Sequence, residues 1–457
     1  MISCAPLYFA EQNQIVKPDL LNGEIRPTLV KMTFPMMLGI VSLMLFNVAD
    51  SYFVSQLGTK PLAALGFTFP VSFTVISLSI GLSVGTSATI AKLIGAGDNS
   101  KARQLTTDNL LLTTLLMVLI AVTSTLVIDP LFRLLGAGDD LMPYIRDYMS
   151  IWFFGSIFYV LIMVSNSSLR ASGDTKTPAM LMGFSSILNL MLDPLLIFGW
   201  GPIPALGIQG AAIASVIAWS IAAVVALVNL YVRKGLLVLR IESVSVAAQH
   251  WLMVMKIGFP AALSNMMTPI AAAIMTAVVA THGPEAVAAF GVGNRLESLC
   301  LLANLALSMT LPPFVSQNYG RGQGARVRSA YYSAVKFALL WQALIYLLLL
   351  MFAGGIGSLF SDSDEVVSLI SLWILVVPLG FGFQAVTFLT ASSFNAVHQP
   401  MKAMRISIFR LFILYVPLGY AGNYLGGLQG MFIGFVIANV CTAAMAFMWM
   451  KRHLQRI

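Results

Sequence analysis

The chain of 457 residues has few charged side chains, since Asp, Glu, Lys and Arg together make up 10% of it. In soluble globular proteins these four residues make up about a quarter of the chain. Apolar residues make up 58% of the sequence, and the mean hydropathy is +0.87. The composition therefore excludes an ordinary soluble protein and indicates a polytopic membrane protein.

Metal-binding and catalytic side chains are also scarce. The three cysteines are scattered without the spacing of a metal or redox motif, and the four histidines fall in segments that we expect to be loops or tails. The apolar segments contain no HExxH sequence, no glycine-rich nucleotide loop and no cluster of catalytic residue types. The sequence therefore predicts no metal site, no cofactor and no enzymatic activity.

The net charge of +8 follows from the distribution of lysine and arginine in a membrane protein. No basic stretch alternates with aromatic residues as a nucleic-acid groove would, so we expect no nucleic-acid partner. The basic residues lie in the tails and in the loops or helix ends on one side, a pattern typical of the cytoplasmic side, with four exceptions: Lys60, Arg133, Arg146 and Arg295. We therefore expect both termini in the cytoplasm and contact between the basic loops and membrane lipids.

The second half of the chain repeats the first at a shift of 225 residues. The shift aligns Phe34 and Pro35 with Phe259 and Pro260, Gly58 with Gly283, residues 63–66 with 288–291, and residues 95–97 with 320–322. A shift of 220 aligns residues 207–210 with 427–430. Such a series indicates two halves of related structure.

Twelve apolar runs are long enough to cross a bilayer, at about 20 residues per helical span. Because each half has an even number of spans, both halves enter the membrane in the same orientation. We predict an all-α integral membrane protein with twelve transmembrane helices in two pseudo-symmetric six-helix lobes. Its predicted parts are an N-terminal tail (1–26), the N-lobe (27–232), a cytoplasmic linker (233–253), the C-lobe (254–450) and a C-terminal tail (451–457).

Two carboxylates interrupt apolar runs, Asp50 in the first span and Asp193 in the fifth. A charged carboxylate at the centre of a bilayer costs about 2.5 to 3.5 kcal/mol on insertion scales. Neither has an acidic counterpart in the repeat, where Asp50 matches Met275 and Asp193 matches Leu418, or Val416 if the prolines are aligned. We infer that the N-lobe alone holds a site for a proton or a cation.

Spacing brings further polar groups to the same depth. Asp50 and Asp193 each precede a glycine by eight residues and Ser215 follows one by eight, which corresponds to a depth of about 12 Å at 1.5 Å per residue. Asn189 lies four residues before Asp193 and shares its helix face. These oxygens can form a cage for a cation or a network that shares a proton. A purely structural role beside Pro194 is the alternative.

Arg295 and Glu297 form a second polar position, in the eighth span. They are two residues apart and do not share a helix face, so they either pair with other groups or line a cavity in the C-lobe. Pro35 lies near one end of the first span. Since proline removes a helix hydrogen bond, this helix either bends at Pro35 or holds a fixed kink there.

Four segments, residues 47–54, 169–178, 189–194 and 210–215, resemble the multidrug and toxic compound extrusion (MATE) transporters, and within them the prokaryotic DinF-like branch. The resemblance extends from about residue 25 to residue 450. It implies an exporter of organic, mostly cationic compounds, driven by inward movement of protons or sodium ions, with two lobes around a V-shaped cavity. It also implies a helix-bending role for Pro35 and an N-lobe cation site made of Asp50, Tyr148, Asn166, Asn189, Asp193 and Ser215.

The other main bacterial branch carries a glutamate in its seventh helix, and residues 265–269 of this chain contain none. We therefore expect a proton-coupled multidrug antiporter, monomeric, in the cytoplasmic (inner) membrane of a prokaryote. A sodium-coupled exporter and a lipid-linked precursor flippase of the same superfamily are the alternatives. A flippase would need a cationic cavity, whereas the two acids suit cations, and a channel is disfavoured because no filter-like repeat occurs.

Overall fold

The computed structural model describes residues 19–238 and 243–457. The first 18 residues of the predicted N-terminal tail, and Arg240 and Glu242 of the predicted linker, lie outside the described residues. Within the described ranges the chain is helical almost throughout and contains no β-strand. A segment in hydrocarbon has no water to bond its backbone N–H and C=O groups, and a helix pairs these groups within the segment. The apolar runs are therefore helical because they lie in the membrane.

The first half consists of six long helices and one short one. They are α1 (Ile25–Ser55), α2 (Thr59–Gly95), α3 (Asn99–Leu126), the short α4 (Ile128–Leu134), α5 (Met142–Ala171), α6 (Lys176–Phe198) and α7 (Ile208–Val228), which a π-helical turn extends through Asn229–Arg233.

The second half has the same plan with more interruptions. Its helices are α8 (Val244–Ala280), α9 (Pro284–Cys300), α10 (Leu302–Gly320), α11 (Gly324–Phe360), α12 (Asp364–Val376), α13 (Phe381–Ala396), α14 (Pro400–Ile408) and α15 (Val416–Leu454). A 3-10 turn (Val377–Gly380) joins α12 to α13, and a π-helical segment (Phe409–Tyr415) joins α14 to α15. Helix α8 begins inside the segment that we assigned to the linker, because Ser243 caps it by accepting a hydrogen bond from the Val246 amide at 3.2 Å.

The described part of the chain has twelve membrane spans when a bend between α9 and α10 and a chain reversal at Gly427 are taken into account. Length and hydropathy select ten spans in the described residues, or eleven when α9 and α10, which meet at 45°, count as one bent span. The stretch Pro400–Leu454 counts as one in that total, but Gly427 inside it has a φ of 58°, in the left-handed region. The chain reverses there, since a Cβ at Gly422 would lie 2.2 Å from the Gly430 carbonyl oxygen. The stretch is therefore a hairpin of two spans.

The loops lie on two sides of the bundle. We call the side with residues 96–98, 172–175, 321–323 and 397–399 the tail side, because the described chain ends lie there. The opposite side is the far side. Glycines matched by the repeat have similar positive φ angles on both sides: Gly58 and Gly283 (111° and 101°), Gly97 and Gly322 (84° and 77°), and Gly207 and Gly427 (56° and 58°). The sequence repeat is thus a repeat of backbone conformation.

The two lobes meet on the tail side. A Cβ at Gly95 of α2 would lie 2.0 Å from the carbonyl oxygen of Gln317, and a Cβ at Gly320 of α10 would lie 2.2 Å from that of Lys92. Gly95 and Lys92 are the repeat partners of Gly320 and Gln317, so each lobe offers the same contact to the other. The Thr33 and Thr310 hydroxyls also bond across the boundary at 2.9 Å.

The lobes separate toward the far side. The buried residues of α2 lie mostly between Val75 and Gly95, while its far-side half is largely exposed and includes Leu62 and Phe69. The close contacts of α2 with the second lobe lie at Gly81, Gly85 and Gly95, all in its tail-side half. We therefore infer that the lobes diverge toward the far side and leave a cleft there, as a V-shaped cavity requires. Pro35 lies inside the continuous helix α1, so its role in bending stays a prediction.

The tail-side contact gives a first prediction. Gly95→Val should separate the lobes on the tail side, because its side chain cannot fit against the Gln317 backbone. Ser316 is fully buried at this contact, with its hydroxyl 2.9 Å from the Ala88 carbonyl oxygen. In a background free of native cysteines, the thiol introduced by Ser316→Cys should react slowly with a maleimide, and Gly95→Val should raise that rate at least about tenfold, an effect of about 1.4 kcal/mol.

Gly354→Ala is the matched control, since no atom lies within 4 Å of a Cβ at that position. Equal reactivity of the thiol in the Gly95→Val and Gly354→Ala proteins would show that the glycine contact does not close the tail side.

Candidate ion-coupling site

Helices α1, α5, α6 and α7 of the N-lobe bring together five of the six predicted site residues, Asp50, Tyr148, Asn189, Asp193 and Ser215. The sixth, Asn166, is separated from Tyr148 along the continuous helix α5 by about 27 Å and makes no hydrogen bond to the other five. Asn189 and Asp193 are fully buried, and Tyr148, Asn166 and Ser215 are at most 5% exposed. Asp50 is half-buried, although its Oδ1 atom has no accessible surface. The group is therefore inside the lobe, with Asp50 as its most accessible member.

Asn189 is the centre of the hydrogen bonds in this group. Its Nδ2 atom donates to Oδ1 of Asp193 at 3.1 Å and lies 3.2 Å from Oγ of Ser215. The first contact follows from the spacing of four residues along α6. The second requires α7 to pack closely on α6, which Gly210 permits, since a Cβ there would lie 2.4 Å from the Leu196 carbonyl oxygen.

Several buried polar atoms of the group have no hydrogen-bond partner among the described residues. They are Oδ1 of Asp50, Oδ2 of Asp193 and Oδ1 of Asn189. Buried polar atoms are paired in the great majority of cases. The arrangement is thus suited to take up a proton or a small cation, for which these oxygens are ligands.

The two carboxylates are close enough to influence each other electrostatically, and both act on the buried hydroxyl of Tyr148. Two negative charges in a region of low dielectric constant repel strongly. A proton or a monovalent cation bound to either carboxylate removes much of this repulsion. The group can therefore convert ion binding into a change of local structure.

The C-lobe residues Arg295 and Glu297 do not pair with each other. Oε1 of Glu297 accepts a hydrogen bond from Nε2 of Gln384 at 2.7 Å and interacts electrostatically with Arg410. The guanidinium of Arg410 lies 4.7 Å from the centre of the Phe388 ring. Arg295 is exposed and has no hydrogen bond or ion pair within residues 19–238 and 243–457. The two residues thus have separate surroundings.

Sequence reasoning missed a buried contact between a histidine and an aspartate on the tail side. His250 was assigned to a loop, but it lies in the first turns of α8 and is 3% exposed. Its Nδ1 atom is 2.6 Å from Oδ2 of Asp108, a fully buried residue of α3. Trp251 donates its indole N–H to the Asp108 carbonyl oxygen at 2.7 Å. The segment from Val244 to Met253 mixes apolar and polar residues and could have been assigned to the helix that follows, but no local pattern indicates Asp108 as the partner of His250.

The loop that resembles a family motif is held by an ion pair. The Asp174 carboxylate accepts hydrogen bonds from the amide and hydroxyl of Thr177 and pairs with Lys234. Burial acts to raise the pKa of Asp174, but the bonds and charge from Lys234 and Thr177 outweigh it and hold the pKa below its usual value. Lys234 of the linker is thereby anchored to the N-lobe.

Comparison with known proteins identifies the class. The family model described as MatE matches residues 35–195 and again residues 260–421. The chain therefore belongs to the MATE family of transporters, and the two matches confirm that each half is one copy of the same unit. Members of this family are transporters rather than enzymes.

Individual relatives cover nearly the whole chain. The FAD transporter of Shewanella oneidensis is 41% identical over 421 residues, which are 92% of this chain and 93% of that protein. A probable multidrug resistance protein of Thermotoga maritima, NorM, is 24% identical over 438 residues, or 94% and 92% of the two chains. The crystal structure of the Vibrio cholerae MATE transporter VcmN in the bent form matches with a TM-score of 0.90 at 33% identity, covering 94% of this chain and 97% of that one. The two-lobe helical fold is thereby confirmed.

The contact between Asn189 and Ser215 gives a second prediction. Ser215→Ala removes one net hydrogen bond, about 0.5 to 1.5 kcal/mol, and should slow export of a fluorescent organic cation about two- to tenfold. Ser215→Thr keeps the hydroxyl and should stay within about twofold of the parent protein. The assay is uptake into inverted membrane vesicles at equal protein content.

Ser220→Ala serves as the control, because its hydroxyl bonds only to the Ile217 carbonyl oxygen of its own helix. Wild-type rates for Ser215→Ala would show that the hydroxyl has no part in transport.

Proposed function

We propose that this MATE transporter is a proton-coupled antiporter of the DinF-like branch, and that the N-lobe group of Asp50, Asn189, Asp193 and Ser215 is its proton site. The observation that carries the proposal is the presence of two intramembrane carboxylates in one group, each with one buried oxygen that lacks a partner among the described residues. Such acids in membrane segments are rare and are typical of proton or ion pathways.

Protons are favoured over sodium for a structural reason. Residues 265–269 of α8 contain no acidic side chain, so the C-lobe lacks the carboxylate found in the other main bacterial branch. The N-lobe acids stand beside amide and hydroxyl groups that can accept or donate hydrogen bonds, so the network can adjust as a carboxylate gains a proton. A sodium-coupled exporter remains the alternative that the first experiment below decides.

The proposed cycle begins with protons that enter from the far side. Protonation of Asp50 and Asp193 removes their mutual repulsion, and a protonated Asp193 gains an O–H donor while its carbonyl oxygen still accepts. The hydrogen bonds of Asn189 and Ser215 then rearrange, α1 bends about Pro35, and the far-side cleft narrows. The bound compound is released to the far side, which we assign to the exterior because the basic loops lie on the tail side.

Organic cations are the first candidate substrates. Asp50, the most accessible member of the N-lobe group, attracts cations when it is charged, and proton binding removes that attraction. Ion binding and release of the compound then have one cause. The same arrangement disfavours a lipid-linked precursor flippase, which would need a predominantly cationic cavity. We propose that the protein works as a monomer in the inner membrane of a prokaryote, with both termini in the cytoplasm and its basic loops in contact with lipid headgroups.

Export of a flavin dinucleotide is the second candidate. It is favoured by the 41% identity to the FAD transporter of Shewanella oneidensis over 92% of this chain and by the exposed arginine Arg295 in the C-lobe. The two candidates share the coupling site and differ in the substrate that the cleft accepts.

The coupling ion is tested in proteoliposomes with separately imposed gradients. We expect a proton gradient alone to drive export, since the carboxylates lie in one lobe and α8 has no acid at residues 265–269. A sodium gradient with the proton gradient collapsed should give a rate indistinguishable from that of liposomes without protein. Robust transport under sodium alone would replace the proton by sodium in this proposal.

The role of Asp50 is tested by Asp50→Asn, which is nearly isosteric but cannot cycle a proton. Coupled export should fall to background while the protein stays folded and inserted, and the variant should bind cationic drug more weakly because the charge is lost. The measurements are drug resistance in a pump-deficient host at equal expression and drug binding by the purified protein.

Met275 is the repeat partner of Asp50 and is fully buried, and Met275→Leu conserves its volume, so that variant should retain most activity. If Asp50→Asn kept wild-type resistance, the N-lobe site would be wrong, and Arg295 and Glu297 would become the leading candidates.

A further inference from the structure

Helix α9 presents a polar, exposed face in the middle of the membrane. Asn294, Arg295 and Ser298 are exposed on it, while Gly293 packs on Trp373, where a Cβ would lie 2.5 Å from the ring. Arg295 is twelve residues from Gly283 at the far-side end of the helix. This spacing corresponds to a depth of about 18 Å, near the midplane of a hydrocarbon core about 30 Å thick. An arginine at this depth faces a water-filled cavity rather than lipid.

The opposite wall of the cleft is aromatic. The shift of 225 residues matches Asn294, Arg295 and Ser298 to Phe69, Pro70 and Phe73 of α2. Phe69 is 60% exposed, and its ring centre lies 5.7 Å from that of Phe73. Helices α2 and α10 meet symmetrically at Gly95 and Gly320, and the repeat gives α9 the position in the C-lobe that the far-side half of α2 has in the N-lobe. From this symmetry we expect the two exposed faces to lie on opposite walls of the cleft.

The difference between the two walls is not required by the fold. A side chain that the packing demanded would occur in both copies of the repeat, as the paired glycines do. Arg295 has no basic counterpart, and Phe69 has no aromatic one. Glu297, the nearest acid in sequence, is held by Gln384 and Arg410, which leaves the guanidinium of Arg295 free for a ligand within the described part of the chain.

We propose that this cleft binds a planar aromatic compound that carries a phosphate group, with the ring system on Phe69 and Phe73 and the phosphate on Arg295. Arginine binds phosphate through two parallel hydrogen bonds. The Asn294 amide adds a neutral donor on the same face, beside Ser298, whose hydroxyl donates to the Asn294 carbonyl oxygen at 3.0 Å. Exposed phenylalanine rings bind flat aromatic systems by stacking or edge contact. This site rests on the second candidate function and states how a flavin dinucleotide would be recognised.

The site also separates recognition from coupling. The phosphate binds to the C-lobe, whereas the proton site belongs to the N-lobe, so proton binding releases an anionic compound by narrowing the cleft and not by charge repulsion. Substrate preference should therefore change with Arg295 while the requirement for a proton gradient stays the same.

The test measures binding to the full-length protein in lipid nanodiscs by flavin fluorescence, with flavin adenine dinucleotide and riboflavin, which lacks phosphate, as probes. We expect the dinucleotide to bind at least about tenfold more tightly than riboflavin, which corresponds to about 1.4 kcal/mol. Arg295→Gln should weaken dinucleotide binding by about tenfold or more and leave riboflavin binding unchanged. Arg295→Lys should be intermediate, since it keeps the charge but loses the paired hydrogen bonds.

Two further variants test whether the effect of Arg295 is specific to phosphate. Phe69→Ala should weaken both probes by the same factor, because it removes a ring contact and no charge. Arg133→Gln is the matched control, an exposed arginine paired with Asp139 on the far-side surface, and should bind both probes as the parent protein does. If Arg295→Gln failed to fold, the double variant Asn294→Ala with Ser298→Ala should show the same selective loss for the dinucleotide in weaker form.

The outcomes separate this site from the proton-coupling proposal. Equal affinity of the parent protein for the two probes, or unchanged dinucleotide affinity in Arg295→Gln, would overturn the site even if organic cations were exported under a proton gradient. Selective dinucleotide binding that depends on Arg295 would support the site, and in that case failure of a proton gradient to drive export would overturn only the coupling proposal.

Discussion

The close backbone contact between the lobes on the tail side is the constraint on which the rest of the structure depends. Gly95 and Gly320 let α2 and α10 approach within the distance at which a side chain on either helix would collide with the other backbone. Gly95 contacts Gln317 and Gly320 contacts Lys92, and the repeat exchanges these two pairs. The lobes are therefore related by a local two-fold axis through this point. With the tail side closed there, the cleft can open only toward the far side.

Function in this fold depends on departures from that symmetry. The glycines at the turns and at the lobe contact occur in both copies of the repeat, whereas Asp50, Asp193 and Arg295 each occur once. A buried charge in hydrocarbon is strongly disfavoured, so a second copy without a use would only destabilise the protein. The symmetric residues thus define the shape, and the unmatched polar residues define the chemistry of each lobe.

Much of the N-lobe site was accessible from spacing alone. The four-residue interval between Asn189 and Asp193 predicts their contact, and counting from the helix ends puts Ser215 at the same depth. Other features depend on contacts between segments far apart in sequence. Asp108 and His250 are 142 residues apart, and no periodicity in either segment indicates that they meet. The partner of Glu297 could not be predicted from sequence either, because Gln384 lies 87 residues away along the chain.

The sequence by itself determined the class of protein, the twelve apolar spans and the internal repeat, and it predicted the residue types of the proposed coupling site. Helix length in a bilayer and the cost of a buried charge act locally along the chain, so both can be evaluated from sequence. Only the tertiary structure decided that Glu297 is bonded to Gln384 rather than to Arg295, that His250 is a buried partner of Asp108, and that α2 and α10 meet at Gly95 and Gly320. These results depend on how helices pack in three dimensions, where small residues such as Gly95, Gly210 and Gly320 set the separation of the helices and thereby which side chains meet.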